Sequence, residues 1–151
     1  MTPEQRLVEL GITLPTAPPP AAAYQPWRAA GNLVFTAGQL PVVDGKLPMT
    51  GKLGGHVTTA EGADLARLAA INVLAQGKAA VGELGKLRVV KLTVFVASVP
   101  EFIEQHLVAN GASVLLGEVL GDDGVHARSA VGVAVLPLDS PVEVETIFEV
   151  R

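Results

Sequence analysis

The sequence predicts an α+β fold, a single mixed sheet carrying two long helices on the same face. Three observations lead there. The chain reads strand, strand, helix, strand, helix, strand, strand. Its clearest strands alternate with period two, and its two helices bear capping and stop signals. Crossovers between strands of one sheet are right-handed, so both helices fall on one side.

Composition narrows the class further. At 151 residues the chain is long enough to bury a core without staples. Hydrophobic residues make up 49% but aromatics only 4%, so that core is built from Ala, Val and Leu. With 17% charged residues, a net charge of -4 and no Lys/Arg cluster, no nucleic-acid or membrane partner is expected. There is no cysteine, hence no disulfide and no thiolate chemistry. The opening MTPEQRLVEL carries acids and no long apolar run, so a cytoplasmic location is expected. The apolar fraction is high for so short a chain, which points to surface covered by other subunits.

Thr2, Pro3 and Gln5 form a capping signature for a short helix that Gly11 ends, with Leu7 and Leu10 docking it. From Thr13 to Tyr24 the chain is proline-rich and reads as an extended arm over the surface. A hairpin follows: Gln25 to Ala29, a Gly31-Asn32 turn, then Leu33 to Ala37, with Pro26 placing the first strand at an edge. The stretch from Gly38 to Gly55 is a loop long enough to line something. Thr58 and Glu61 form a capping box for a helix running to about Leu84 and stopped by Gly85. Its small-sided stripe, Ala66, Ala70, Val73, Gly77 and Ala80, suits close docking on a sheet.

Val89 to Ala97 reads as an interior strand, with Val90, Leu92, Val94 and Val96 on one face. Pro100 is expected to open a helix from Glu101 to about Leu116 with Ile103, Leu107, Asn110 and Val114 inward. Gly121 to Gly124 is a turn. It leads into a strand whose valine face (Ser129, Val131, Val133, Val135) is expected to be core. The opposite face, Arg128, Ala130, Gly132 and Ala134, is then left for a neighbouring subunit. Val142 to Val150 is the last strand.

Chemistry concentrates near the end of the chain. Arg128 reads either as a hook for a carboxylate or phosphate, because a guanidinium offers a fixed fork of donors, or as an edge-strand arginine reaching solvent. Glu143, Glu145 and Glu149 share a face of the last strand; such carboxylates serve as ion-pair partners or as a general base. His126 reads as a pocket residue or as a solvated histidine at a strand start. Asn110, placed inward on its helix, needs a backbone, water or ligand partner. His56, His106 and His126 are too scattered for a metal site, and the glycine pairs match no nucleotide-binding loop.

The stretches GNLVFTAGQLP (Gly31 to Pro41), KLTVFV (Lys91 to Val96), ARSAVGVAVLP (Ala127 to Pro137) and VEVE (Val142 to Glu145) resemble the RidA/YjgF family of reactive-intermediate deaminases from Tyr24 onward. The resemblance implies a chorismate-mutase-like domain over residues 1–151, with 1–23 as an added helix and arm and 24–151 as the core. It also implies a homotrimer around a central barrel, with a pocket at each interface. Arg128 matches the family's carboxylate-gripping arginine, and Glu143 the glutamate that holds the hydrolytic water. Tyr24 matches a pocket tyrosine and Asn110 a residue at the pocket margin. The implied reaction is cofactor-free hydrolysis of enamine or imine intermediates, such as the 2-iminoacid from 2-aminoacrylate, to 2-oxoacids and ammonia. The alternatives are a narrower deaminase of aminomuconate type and a non-catalytic trimer that binds small carboxylates or shields unfolded chains. The usual proline two places before the arginine is His126 here, the loop from Gly117 to His126 differs, and both bear on which substrate fits.

Overall fold

The computed structural model describes residues 1–20 and 22–151. Helix α1 spans Pro3–Glu9 and strands β1 and β2 span Trp27–Ala30 and Leu33–Thr36. Helix α2 spans Thr59–Val81, strand β3 Leu87–Ala97 and helix α3 Gln105–Leu120. Strands β4, Ala127–Val133, and β5, Val142–Val150, complete the sheet, whose order is β1-β2-β5-β3-β4. Strands β3 and β4 run parallel and every other pairing is antiparallel. The mixed α+β class, the edge position of β1 and the placement of α2 and α3 on one face are as the sequence predicts.

One apolar layer joins that face to the helices. Leu92, Val94 and Val96 of β3 and Val142, Val144 and Phe148 of β5 are fully buried against Ala66, Ala69, Ala70 and Val73 of α2. Leu115 and Leu116 of α3 close it. Phe148 is the one fully buried aromatic among the described residues, and truncating a buried Phe to Ala costs about 3 to 5 kcal/mol. Helix α1 is tied on by buried Leu7, by Arg6 Nη1 donating to Val119 O at 3.3 Å, and by Leu84 N donating to Glu4 Oε1 at 2.9 Å. Leu10, expected to dock with Leu7, is exposed.

Several expectations need correction. Helix α2 ends at Val81, capped by Gly82 at φ 86°, rather than near Leu84 with Gly85 as its stop; a positive φ is open to glycine at low cost. Strand β3 begins at Leu87, and a register shift between Val89 and Lys91 turns Val90 out to solvent. Helix α3 begins four residues later than expected, at Gln105. Its buried stripe is Val108, Ala109, Ala112, Leu115, Leu116 and Val119, while Ile103 (79% exposed), Leu107 and Val114 (54% exposed) face outward. Asn110 is on that outer side.

The largest correction concerns β4. Parallel register pairs Leu92 with Arg128, Val94 with Ala130 and Val96 with Gly132, and residues opposite one another share a face. The small-residue face therefore lies on the helix side, where Ala130 packs on the core and Gly132 abuts Gln105. The small side chains make room for α3 rather than for another subunit. The valine face is the uncovered one: Val131 is 41% exposed, beside Phe95, with Ile147 and Phe35 further along the same face.

Candidate functional site

Arg128 is held by α3. Its Nη1 donates to Asn110 Oδ1 at 2.9 Å and to Ser113 Oγ at 3.1 Å, and its Nη2 donates to the His106 carbonyl at 3.2 Å. Asn110 and Ser113 are three apart and so share a helix face. His126 lies just before β4. Its Nδ1 is 2.6 Å from Gly124 O, which can only accept, so Nδ1 carries a proton, and in the neutral ring Nε2, 2.9 Å from Ser113 Oγ, accepts from that hydroxyl. Ser113 thus links His126 to Arg128. The solvated-histidine reading of His126 gives way to one in which it braces the arginine.

A guanidinium has five N–H donors. Three are occupied, and among the described residues Nε–H and one hydrogen of Nη2 remain. Both nitrogens are bonded to Cζ on the side away from Nη1, so together they can meet both oxygens of a carboxylate.

Glu143 is on the opposite face of the sheet. Its half-buried carboxyl lies over Gly38, where a Cβ would come 2.9 Å from Glu143 Cγ and closer still to Cδ and Oε1. A glycine is what leaves the carboxyl its place. Burial pushes the Glu143 carboxyl above the usual range, and the nearby Glu145 charge adds to the shift. Around it opens a cavity of about 510 Å³, walled by the proline arm (Pro18 to Pro20, Ala22), Tyr24, Leu40 and Leu138. The arm is fastened to α2 by Gln76 Nε2 donating to Pro18 O at 2.7 Å, and Asn72 Nδ2 holds the loop through Leu40 O at 2.9 Å.

The residues singled out from the sequence therefore form two groups. Asn110, His126 and Arg128 meet at the α3–β4 edge, and Tyr24 and Glu143 meet at the arm. The groups do not meet within one chain. Arg128 and Glu143 flank β3 two strand spacings apart, about 10 Å, and are offset by three residues of register, about 10 Å more, on opposite faces. Glu149 is paired with Arg88, whose Nε donates to it at 2.8 Å, rather than with Arg128. Sequence reasoning missed Ser113, Gly38, Gln76, Asn72 and Leu138. Ser113 was findable from its i+3 spacing to Asn110; the others depend on contacts between distant segments. Among the described residues no group of three or more His, Asp or Glu could hold a metal ion.

A five-stranded mixed sheet backed by two helices, with an arginine fork and a half-buried carboxylate on its two faces, is the architecture that the comparisons match. Residues 4–150 match the family described as "YjgF/chorismate_mutase-like, putative endoribonuclease", and the chain belongs to this RidA/YjgF superfamily. It is 48% identical over 147 residues to the protein TCP17 of Trypanosoma cruzi, covering 96% of this chain and 92% of that one. The structure of Atu1372 from Agrobacterium tumefaciens, of unknown function, is similar at TM-score 0.93 and 52% identity, covering 99% of this chain and 92% of that one. That likeness takes in the N-terminal helix and arm. TdcF of E. coli, solved with bound serine, is similar at TM-score 0.66 and 30% identity, covering 90% and 94%.

Proposed function

We propose that three copies of the chain assemble so that the Arg128 cluster of one subunit faces the Glu143 pocket of the next, and that each such site hydrolyses 2-iminoacids to 2-oxoacids and ammonia. The observation that carries the reading is the pair of uncommitted donors on Arg128, braced from behind by Asn110, Ser113 and the His106 carbonyl. Two groups that each supply half of a site, on opposite faces of one sheet, support the assembly. TdcF with bound serine supports the ligand class, since serine is a small amino acid with a carboxylate.

The steps follow from the groups present. Arg128 takes the substrate carboxylate as a bidentate pair. A water held by the Glu143 carboxylate attacks the imine carbon, a new C–O bond forms, and the π-electron pair and a proton go to nitrogen. In the resulting carbinolamine the Glu143 carboxylate takes the hydroxyl proton and passes it to nitrogen, the C–N bond breaks as the C=O bond forms, and ammonia leaves with the 2-oxoacid, which returns the carboxylate to its starting state. The imine is electrophilic already, so positioning and a basic carboxylate suffice. An imine of aminomuconate type would use the same steps with a narrower fit.

The second reading is a carboxylate binder without turnover, favoured by the same arginine fork. The RNA-cleaving names of some relatives are theirs; this chain carries a net charge of -4, and its Arg67, Arg88 and Arg151 are each paired with a carboxylate, which disfavours a polyanion. Ammonia release decides among these, with imines generated in place by an amino-acid oxidase. Arg128→Ala is expected to abolish hydrolysis and 2-oxoacid binding, while Glu143→Gln keeps binding and slows turnover about 100-fold or more. Identical rates for parent and both variants would overturn the site. Binding by a parent that hydrolyses nothing faster than buffer would favour the second reading.

A further inference from the structure

We propose that the cavity beside Glu143 receives the side chain of a bulky apolar 2-iminoacid, and that Leu138 is the residue that selects for it. This rests on the imine-hydrolysis reading above and names its substrate class.

In one chain the cavity is an open pocket with room for more than the smallest substrates. It holds about 510 Å³, whereas the methylene of 2-aminoacrylate is comparable to one water, whose share of liquid volume is about 30 Å³. Most of its wall is apolar, with Pro18, Pro19, Pro20, Ala22, Leu40 and Leu138 set against the polar groups of Tyr24, Gln39 and Glu143. The Gln39 amide on the wall is already engaged, with Nε2 donating to Ala37 O at 3.2 Å and Oε1 accepting from Gln76 Nε2 at 3.3 Å. The arm is fastened through Pro18 O, so the wall is formed before a ligand arrives.

Leu138 is the exceptional member of that wall. It sits in the left-handed region at φ 60°, ψ 21°, followed by Asp139 at φ 59°. Residues with a Cβ rarely adopt this conformation, and Asn or Gly is the usual occupant. The turn is held in place by Gly51 N donating to Asp139 O at 3.0 Å and by buried Ser140, whose Oγ donates to Val142 O at 2.8 Å. Yet the Leu138 side chain is 69% exposed, so packing inside the chain does not offset the strain. A strained turn that presents an isobutyl group at the rim of a mostly apolar cavity, beside the candidate catalytic carboxylate, is placed to touch a ligand side chain.

The test compares imines made by an amino-acid oxidase from alanine and from leucine, on the parent and on Leu138→Asn, which suits the backbone and removes the apolar group. The parent is expected to favour the leucine-derived imine about tenfold or more in kcat/KM, and the variant to lose most of that ratio. Its melting temperature is expected to be no lower, and its oligomeric state unchanged. A parent without that preference, a variant that slows both imines equally, or a variant whose subunits dissociate would overturn the assignment. Should the parent hydrolyse no imine at all, the imine-hydrolysis reading fails, and calorimetry with 4-methyl-2-oxopentanoate and pyruvate then decides the inference alone. Tighter binding of the larger 2-oxoacid that Leu138→Asn abolishes upholds it, and equal affinities overturn it.

Discussion

Arg128 shows what a single side chain gains from its setting. An arginine on an edge strand is ordinarily free to sweep through solvent, but here three bonds to α3 fix the plane of the guanidinium and leave one edge for a ligand. Lysine cannot reproduce that edge. Arg128→Lys is therefore expected to weaken 2-oxoacid binding by about 1.5 to 3 kcal/mol in calorimetry while circular dichroism shows an intact fold. Glu143 is the complementary case. Its carboxyl titrates above the usual range because burial and the Glu145 charge disfavour ionisation. A base of this kind works only when ionised, so kcat/KM is expected to fall as pH drops through that raised value. Glu145→Gln should move this acid limb to lower pH, and a limb that does not move would show that Glu143 is not the base. The linkage sign is equally defined. The folded chain holds the Glu143 proton more tightly than the unfolded chain, so this group lowers stability as pH rises from the unfolded value through the folded one. Glu143→Gln should raise the melting temperature at pH 7 and leave it nearly unchanged well below the ordinary carboxylate range.

At the scale of elements, the approach of α2 to α3 sets the shape of the Arg128 cluster. Gly111 of α3 lies against α2 so closely that a Cβ there would be 3.1 Å from Ala63 Cα and nearer still to its carbonyl. Gly111→Ala must push the helices apart, and a loss of about 1 to 3 kcal/mol is expected in urea unfolding. Because Asn110 and Ser113 flank that position, the same variant should also loosen Arg128 and weaken 2-oxoacid binding. The two capping boxes, Thr2 with Gln5 and Thr58 with Glu61, form as the sequence predicts because they are local exchanges between residues three apart. The stripe of α3 was not legible. Leu107 and Val114 are as apolar as Val108 and Leu115, so the pattern allows either face inward, and the sheet beneath chooses.

For the whole molecule, the uncovered sheet face carries Phe35, Phe95, Val131 and Ile147, and the proposed trimer would cover it. Sedimentation is expected to show a trimer for the parent and smaller species for Val131→Glu, which would bring a charge into the interface. Mixing gives a sharper result. If each site takes Arg128 from one subunit and Glu143 from the next, randomly reassembled trimers of Arg128→Ala and Glu143→Gln contain roughly a quarter intact sites. Hydrolysis should then recover to roughly a quarter of the parent rate from two nearly inactive parents. A mixture no more active than its components would place both residues of a working site in one chain.

The amino-acid sequence alone determined the α+β class, the order of elements, the two capped helix starts and the identity of the charged residues worth watching. All of these are written in short-range spacing, where neighbours three or four residues apart or alternating along a strand decide the outcome. The faces were decided elsewhere. Strand β4 has small and apolar residues on its two sides, so nothing local says which side meets a helix. Its parallel register against β3 put Arg128 beside α3 and turned Val131 outward. The separation of Arg128 from Glu143, the Gly38 seat of the Glu143 carboxyl and the strained turn at Leu138 likewise arise from segments far apart in sequence. Only tertiary packing, by fixing register and the approach of one element to another, could set them.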